Sequence, residues 1–138
     1  MEQPIVIAYD SKTGNVEWFA NQLGYPVRPV TSFDGDMKTP VFLITHTFGR
    51  GGVPTDTQTF LDHYADHVVG LCVSGDIRWG SLFALAGDKI RLEYEIPLVR
   101  KINIRGYASD VEAVKNWLEE WSQKNPLKKE ETTDIAPQ

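Results

Sequence analysis

Ile5-Val6-Ile7-Ala8-Tyr9-Asp10-Ser11-Lys12-Thr13-Gly14-Asn15-Val16 decides the reading of the whole chain. An apolar, β-branched run ends in a Ser/Thr/Gly/Asn turn, and Val16, Phe19, Ala20 and Leu23 then recur at helical spacing. An open α/β sheet builds a phosphate site in this order. Turn hydroxyls and backbone N–H groups donate hydrogen bonds, and the positive end of the helix faces the anion. Lys12 adds a point charge, and Ser11, Thr13, Gly14, Asn15 and Val16 supply the turn. The turn matches neither G-x-x-x-x-G-K-[ST] nor G-x-G-x-x-G, and its hydroxyl-rich shortness suits a single terminal phosphomonoester. Alone, it reads rather as an ordinary strand-to-helix turn with a good N-cap. The rest of the chain has to decide.

Working outward, apolar runs recur at 41–44, 68–73 and 96–99, short and continuous as in strands covered on both faces. Helical patterns separate them. Thr55 and Gln58 form a capping-box pair before Phe60, Leu61, Tyr64 and Ala65. Leu82, Phe83, Ala86 and Ile90 mark a third helix, and Ser109 with Glu112 opens a fourth along Val111, Val114, Leu118 and Trp121. Alternating strands and helices predict right-handed crossovers and a parallel sheet. Residues 25–30 contain Pro26 and Pro29, which donate no ladder bond and belong on an edge. Residues 101–105 alternate polar and apolar, so the last strand is the other edge. The predicted fold is a flavodoxin-like, doubly wound, five-stranded parallel sheet of order 2-1-3-4-5. Ligands of such sheets bind at the switch point between strands 1 and 3, where the 11–16 turn falls.

Two further loops leave the same edge. Thr45-His46-Thr47-Phe48-Gly49-Arg50-Gly51-Gly52 follows strand 3, and Ser74-Gly75-Asp76-Ile77-Arg78-Trp79-Gly80 follows strand 4, with Phe83 just beyond. Each joins glycines, which admit close backbone approach, to one aromatic able to stack on a planar ligand. Phe48 and Trp79 could each instead cap an end of the core. Together with the phosphate turn, the three loops describe a flavin mononucleotide (FMN) site. A receiver domain of this topology would need an aspartate where Thr45-His46 stands. His63 and His67 have the spacing of H-E-x-x-H but lack its Glu and a third ligand, so they read as a solvated helix face. Trp18, Trp117 and Trp121 fall on helices as packing residues.

Composition narrows the class. The 138 residues make one domain, read as 1–124 followed by a disordered polar tail at 125–138. A formal charge of −5 argues against nucleic acid, which needs clustered Lys and Arg. No stretch approaches a membrane span and no signal-peptide pattern opens the chain, so a cytoplasmic location is expected. The single cysteine, Cys72, lies in an apolar run and reads as a core residue.

The residues 9–16, Thr47-Phe48-Gly49-Arg50-Gly51-Gly52-Val53-Pro54, Ser74-Gly75 with Trp79-Gly80, and Pro97 to Gly106 together resemble the NrdI flavodoxins. These are small activating partners of class Ib ribonucleotide reductases. The resemblance covers 5–121 and implies FMN, with Ser11, Thr13, Gly14, Asn15 and Val16 on the phosphate. It places the 45–53 loop beside the ring and Ser74, Gly75, Trp79 and Gly80 on the other side. It further implies a redox accessory flavoprotein rather than a stand-alone enzyme. A flavin reductase or other donor reduces it, molecular oxygen reacts with it, and superoxide passes to the radical-bearing subunit. A general low-potential electron carrier, or a flavodoxin-like interaction module without cofactor, would use the same fold. The chain departs from the family where Asp76-Ile77-Arg78 replaces the common Asn-Arg-Asn and where His46 replaces a frequent tyrosine. Beside the ring, a lone Asp76 carboxylate would repel the reduced flavin and lower its potential.

Overall fold

The computed structural model describes residues 5–35 and 37–126; the predicted tail beyond 126 lies outside the described residues. Strands β1 (Val6–Tyr9), β2 (Val27–Pro29), β3 (Val41–His46), β4 (Val68–Gly75) and β5 (Leu98–Asn103) alternate with helices α1 (Asn15–Asn21), α2 (Thr55–Tyr64), α3 (Leu85–Tyr94) and α4 (Ala108–Lys124). All strand pairs are parallel and the order is β2-β1-β3-β4-β5, as the edge prolines and the alternating last strand predict.

Period-two alternation divides the core between the two sheet faces. Val41 and Leu43 of β3 point to one side, where Phe60 and Leu61 of α2 and Ala86 and Ile90 of α3 cover them. Phe42 and Ile44 point to the other, beneath Phe19 and Ala20 of α1 and Val114 and Leu118 of α4. Cys72 is fully buried on that second side, and burial pushes its thiol pKa well up. Trp117 packs against Phe42 at 5.4 Å between ring centroids, whereas Trp18 is 40% exposed beneath the guanidinium of Arg105. The Trp18 packing role therefore holds only in part.

The two edges differ in how they are finished. β2 is short and ends in Pro29. On β5, Arg100 reaches to Asp110 of α4 at 2.7 Å, and Lys101 reaches to Asp88 of α3 at 2.6 Å. Its alternating polar residues thus tie the edge to the helices on both faces. β5 begins two residues later than the apolar run suggests, because ladder pairing starts only after Pro97.

Three helix starts differ from the sequence reading. Thr55 is the first residue of α2 with Pro54 at its N-cap, and no Thr55–Gln58 box forms. At α4 the N-cap is Tyr107, whose N–H donates to the Asp110 carboxylate at 2.8 Å, so Ser109 and Glu112 lie inside the helix. Leu82 and Phe83 precede α3, because Ala84 adopts a left-handed φ of 50° that no helix accommodates. A 3₁₀ turn over Ile77–Leu82 fills the interval. His63 and His67 do not share a helical face: α2 ends at Tyr64, and His67 belongs to a 3₁₀ turn.

Candidate functional site

The turn after β1 leaves several hydrogen-bond donors without a partner in the protein. The Gly14 N–H donates to Ser11 Oγ at 3.0 Å, and Asn15 Nδ2 donates to Thr13 Oγ1 at 3.1 Å. Both hydroxyls accept within the turn and keep their own hydrogens for an outside acceptor. The first intrahelical bond of α1 runs from the Trp18 N–H to the Gly14 carbonyl, and no side chain caps the helix. The N–H groups of Asn15, Val16 and Glu17 therefore have no helical partner. Gly14 enters the helix at φ 93°, with open space where a side chain would project. Val16 itself is buried in the core, so only its backbone can serve a ligand. The Lys12 ammonium lies over the Phe48 ring, 5.6 Å from its centroid, and links the first loop to the second.

The second loop is a tight hairpin in which Phe48 and Gly52 exchange backbone hydrogen bonds of 2.8 and 2.7 Å. Gly49 and Gly51 take left-handed φ angles within it, and the Phe48 ring is left 58% exposed. Thr47 Oγ1 donates to the Ser74 carbonyl at 3.1 Å and stitches this loop to β4. In the third loop Trp79 is 49% exposed, and Gly80 bends the chain at φ 59°. Between the loops lies an open cleft that brings together Asn15, His46, Thr47, Gly49, Ser74, Gly75, Asp76 and Trp79.

Two residues assigned to the site from sequence lie away from the cleft, and a third reaches it in a different state. Thr45 is fully buried, with its hydroxyl 2.6 Å from that of Thr57. Phe83 packs against the core on the α2–α3 side of the sheet. Asp76 does reach the cleft, but not as a lone carboxylate. It accepts from Arg78 Nη2 at 2.6 Å and Nε at 2.9 Å, and these bonds lower its pKa to about 2. The pair, rather than a single negative charge, faces any ligand. We expect Asp76→Asn and Arg78→Gln to shift the potential of a bound flavin in opposite directions, each on the order of tens of millivolts. Potentiometric titration of the two variants checks this, and shifts of equal sign would contradict it.

The structure also adds residues that sequence reasoning missed. Leu82, Ala84 and Ile104 line the cleft. Ile104, at φ 58°, is a β-branched residue in left-handed backbone, and Ala84 shares that conformation. The Ile104 N–H donates to the Gly75 carbonyl at 2.7 Å, and its own carbonyl accepts from Ser74 Oγ. Those bonds hold the strained residue at the rim. Asp10, directly after β1, was passed over as well. It lies 3.5 Å from His46 Nε2 and accepts from Thr57 Oγ1 at 2.6 Å. Its position at the carboxyl end of the first strand was the available signal.

A doubly wound sheet of this order, with three loops meeting at its switch point, defines a flavodoxin-like protein. The chain belongs to the NrdI flavodoxin-like family, whose pattern it matches over residues 7–116. Protein NrdI of Deinococcus radiodurans is 38% identical over 122 residues, covering 87% of this chain and 86% of that protein. Protein NrdI of Bacillus licheniformis is 38% identical over 108 residues, covering 78% and 82%. Among solved structures, a short-chain flavodoxin associated with a bacterial microcompartment superposes with a TM-score of 0.66 at 20% identity. It covers 86% of this chain and 95% of that one. A response regulator from Colwellia psychrerythraea superposes at 0.51 and 12% identity, covering 90% of this chain and all of its own. The sheet order is thus common to a receiver-type fold, and the loops make the distinction. Fold and family together imply a flavin cofactor. Among the described residues no helix is long and apolar enough to cross a membrane, and no cluster of His, Cys, Asp or Glu could hold a metal ion.

Proposed function

We propose that this protein binds FMN and, as a cytoplasmic accessory flavoprotein, supplies superoxide to the radical-bearing subunit of a ribonucleotide reductase. Its domain is 1–124. The observation that carries the cofactor is the pairing of an uncapped turn at 11–16 with a cleft lined by the exposed Trp79, with Phe48 exposed on the neighbouring loop. The donor set fits a phosphomonoester: two hydroxyl hydrogens, three backbone N–H groups and the Asn15 amide. Trp79 lines the cleft as a stacking surface, Phe48 stands exposed between the lining residues Thr47 and Gly49, and the backbone of Gly49 and Gly75 allows close approach. When bound and reduced, the flavin supplies single electrons to molecular oxygen.

The role on ribonucleotide reductase rests on the relatives named Protein NrdI and on the form of the rim. Trp79 and Ile104 are exposed in the cleft lining, and Phe48 and Ile77, each next in sequence to a lining residue, are exposed as well, giving an apolar border on which a partner protein can close. Such a seal keeps a short-lived oxidant out of bulk water. A general electron carrier needs none and works without oxygen.

The test mixes the radical subunit, any metal it requires and the reduced protein, and follows the radical or modified tyrosine spectroscopically with and without air. Activation that requires oxygen and survives added superoxide dismutase is expected. Equal activation without oxygen, or no complex with the radical subunit, would point to the general carrier.

A further inference from the structure

Beneath the cleft runs a chain of polar groups that flavin binding does not call for. His46, at the end of β3, lines the cleft with its side chain 17% exposed. Its Nε2 lies 3.5 Å from Asp10 Oδ1, and the Asp10 side chain is only 11% exposed. Behind Asp10 stands Thr57 of α2, donating to Oδ2 at 2.6 Å, and behind Thr57 stands Thr45 at 2.6 Å. Both threonines are fully buried.

This arrangement fixes the charge of Asp10. Burial alone would raise its pKa, but the contacts from His46 and Thr57 outweigh that and hold the carboxyl below its ordinary range. The imidazole of His46 thus has an ionised carboxylate directly behind it. The other groups around His46 do not compete for this role. Thr57 from α2 and Ser74 from β4 carry no charge, and Lys12 of the first turn lies over Phe48. Asp76, the second titratable side chain lining the cleft, is already engaged by Arg78.

We infer that His46, held by Asp10, is the proton acceptor of the cleft, so that reduction of the bound flavin is matched by proton uptake on His46. The inference rests on the FMN reading above. Full reduction by a low-potential reductant places two electrons and one proton on the flavin, leaving one negative charge. One further proton from solvent goes to His46, and the cleft returns to its starting charge. Asp10 is a positioning residue in this scheme. It does not line the cleft, and acts only through the imidazole it holds.

The experiment is a pH titration of FMN-loaded, histidine-15N-labelled protein by NMR, before and after anaerobic reduction with dithionite. The chain has three histidines, and the signal lost in His46→Gln identifies the one in question. We expect the proton affinity of His46 to rise about tenfold or more on reduction, with His63 and His67 as unmoved references. Asp10→Asn should lower that affinity about tenfold in both states, and Thr57→Val should lower it less, while both variants stay yellow. An affinity of His46 that is equal in oxidised and reduced protein, or unchanged in Asp10→Asn, overturns the inference. Protein that takes up no FMN fails at the loading step, before any titration, and overturns the cofactor reading instead.

Discussion

Replacing Thr13 and Asn15 together by alanine will weaken FMN binding by roughly two orders of magnitude or more, and will leave riboflavin nearly untouched. Each residue offers a hydrogen bond to a charged acceptor, and such bonds contribute on the order of 1.5–3 kcal/mol apiece. Their joint removal also dissolves the Asn15–Thr13 contact that orients both side chains. Riboflavin lacks the phosphate and so reports only on the ring site. Fluorescence titration with the two flavins separates the cases. Equal losses for both would mean that the turn serves the ring or the fold, and not the phosphate.

The second large effect is expected at Gly75, where β4 turns into the third loop. A Cβ there would sit 2.5 Å from the backbone nitrogen of Ala84 and 2.9 Å from its Cα, and backbone cannot move aside as a flexible side chain can. Gly75→Val should therefore cost about 3 kcal/mol, or displace the loop bearing Trp79. For a domain of this size that is a fall in Tm of roughly 10 °C. Thermal unfolding and FMN affinity measured on the same sample are both expected to fall. A Gly75→Val protein that melts and binds like the parent would show that the close approach of Ala84 is not obligatory.

Both effects come from loops, and loops are where sequence reading was strongest and weakest. The sheet order was legible because each edge carried its own chemical signature: prolines in 25–30, and a polar–apolar alternation in 101–105. The 11–16 strand-to-helix turn was legible because every part of it is local, within six residues of chain. The Asp10–Thr57 contact was not, since it joins residues 47 positions apart and no local pattern pairs them. Nor does an alanine or isoleucine announce a left-handed backbone, as Ala84 and Ile104 adopt here; surrounding hydrogen bonds impose it. Helix starts were misplaced for a related reason. S/T-x-x-E/Q spacing also occurs inside helices, and only tertiary contacts decide which N–H is left over.

The burial of Cys72 bears on how long such a molecule lasts. A protein that hands electrons to oxygen, as proposed, works beside the reagents that damage sulfur most readily. Peroxides attack the thiolate, and Cys72 lies in the middle of the central sheet as a fully buried thiol with its pKa pushed up. It is the chain's only cysteine, and of the two methionines Met37 is partly covered by the core. Repeated turnover therefore finds the chain's one thiol out of reach. The aromatic rings at the mouth are left as the parts most open to wear.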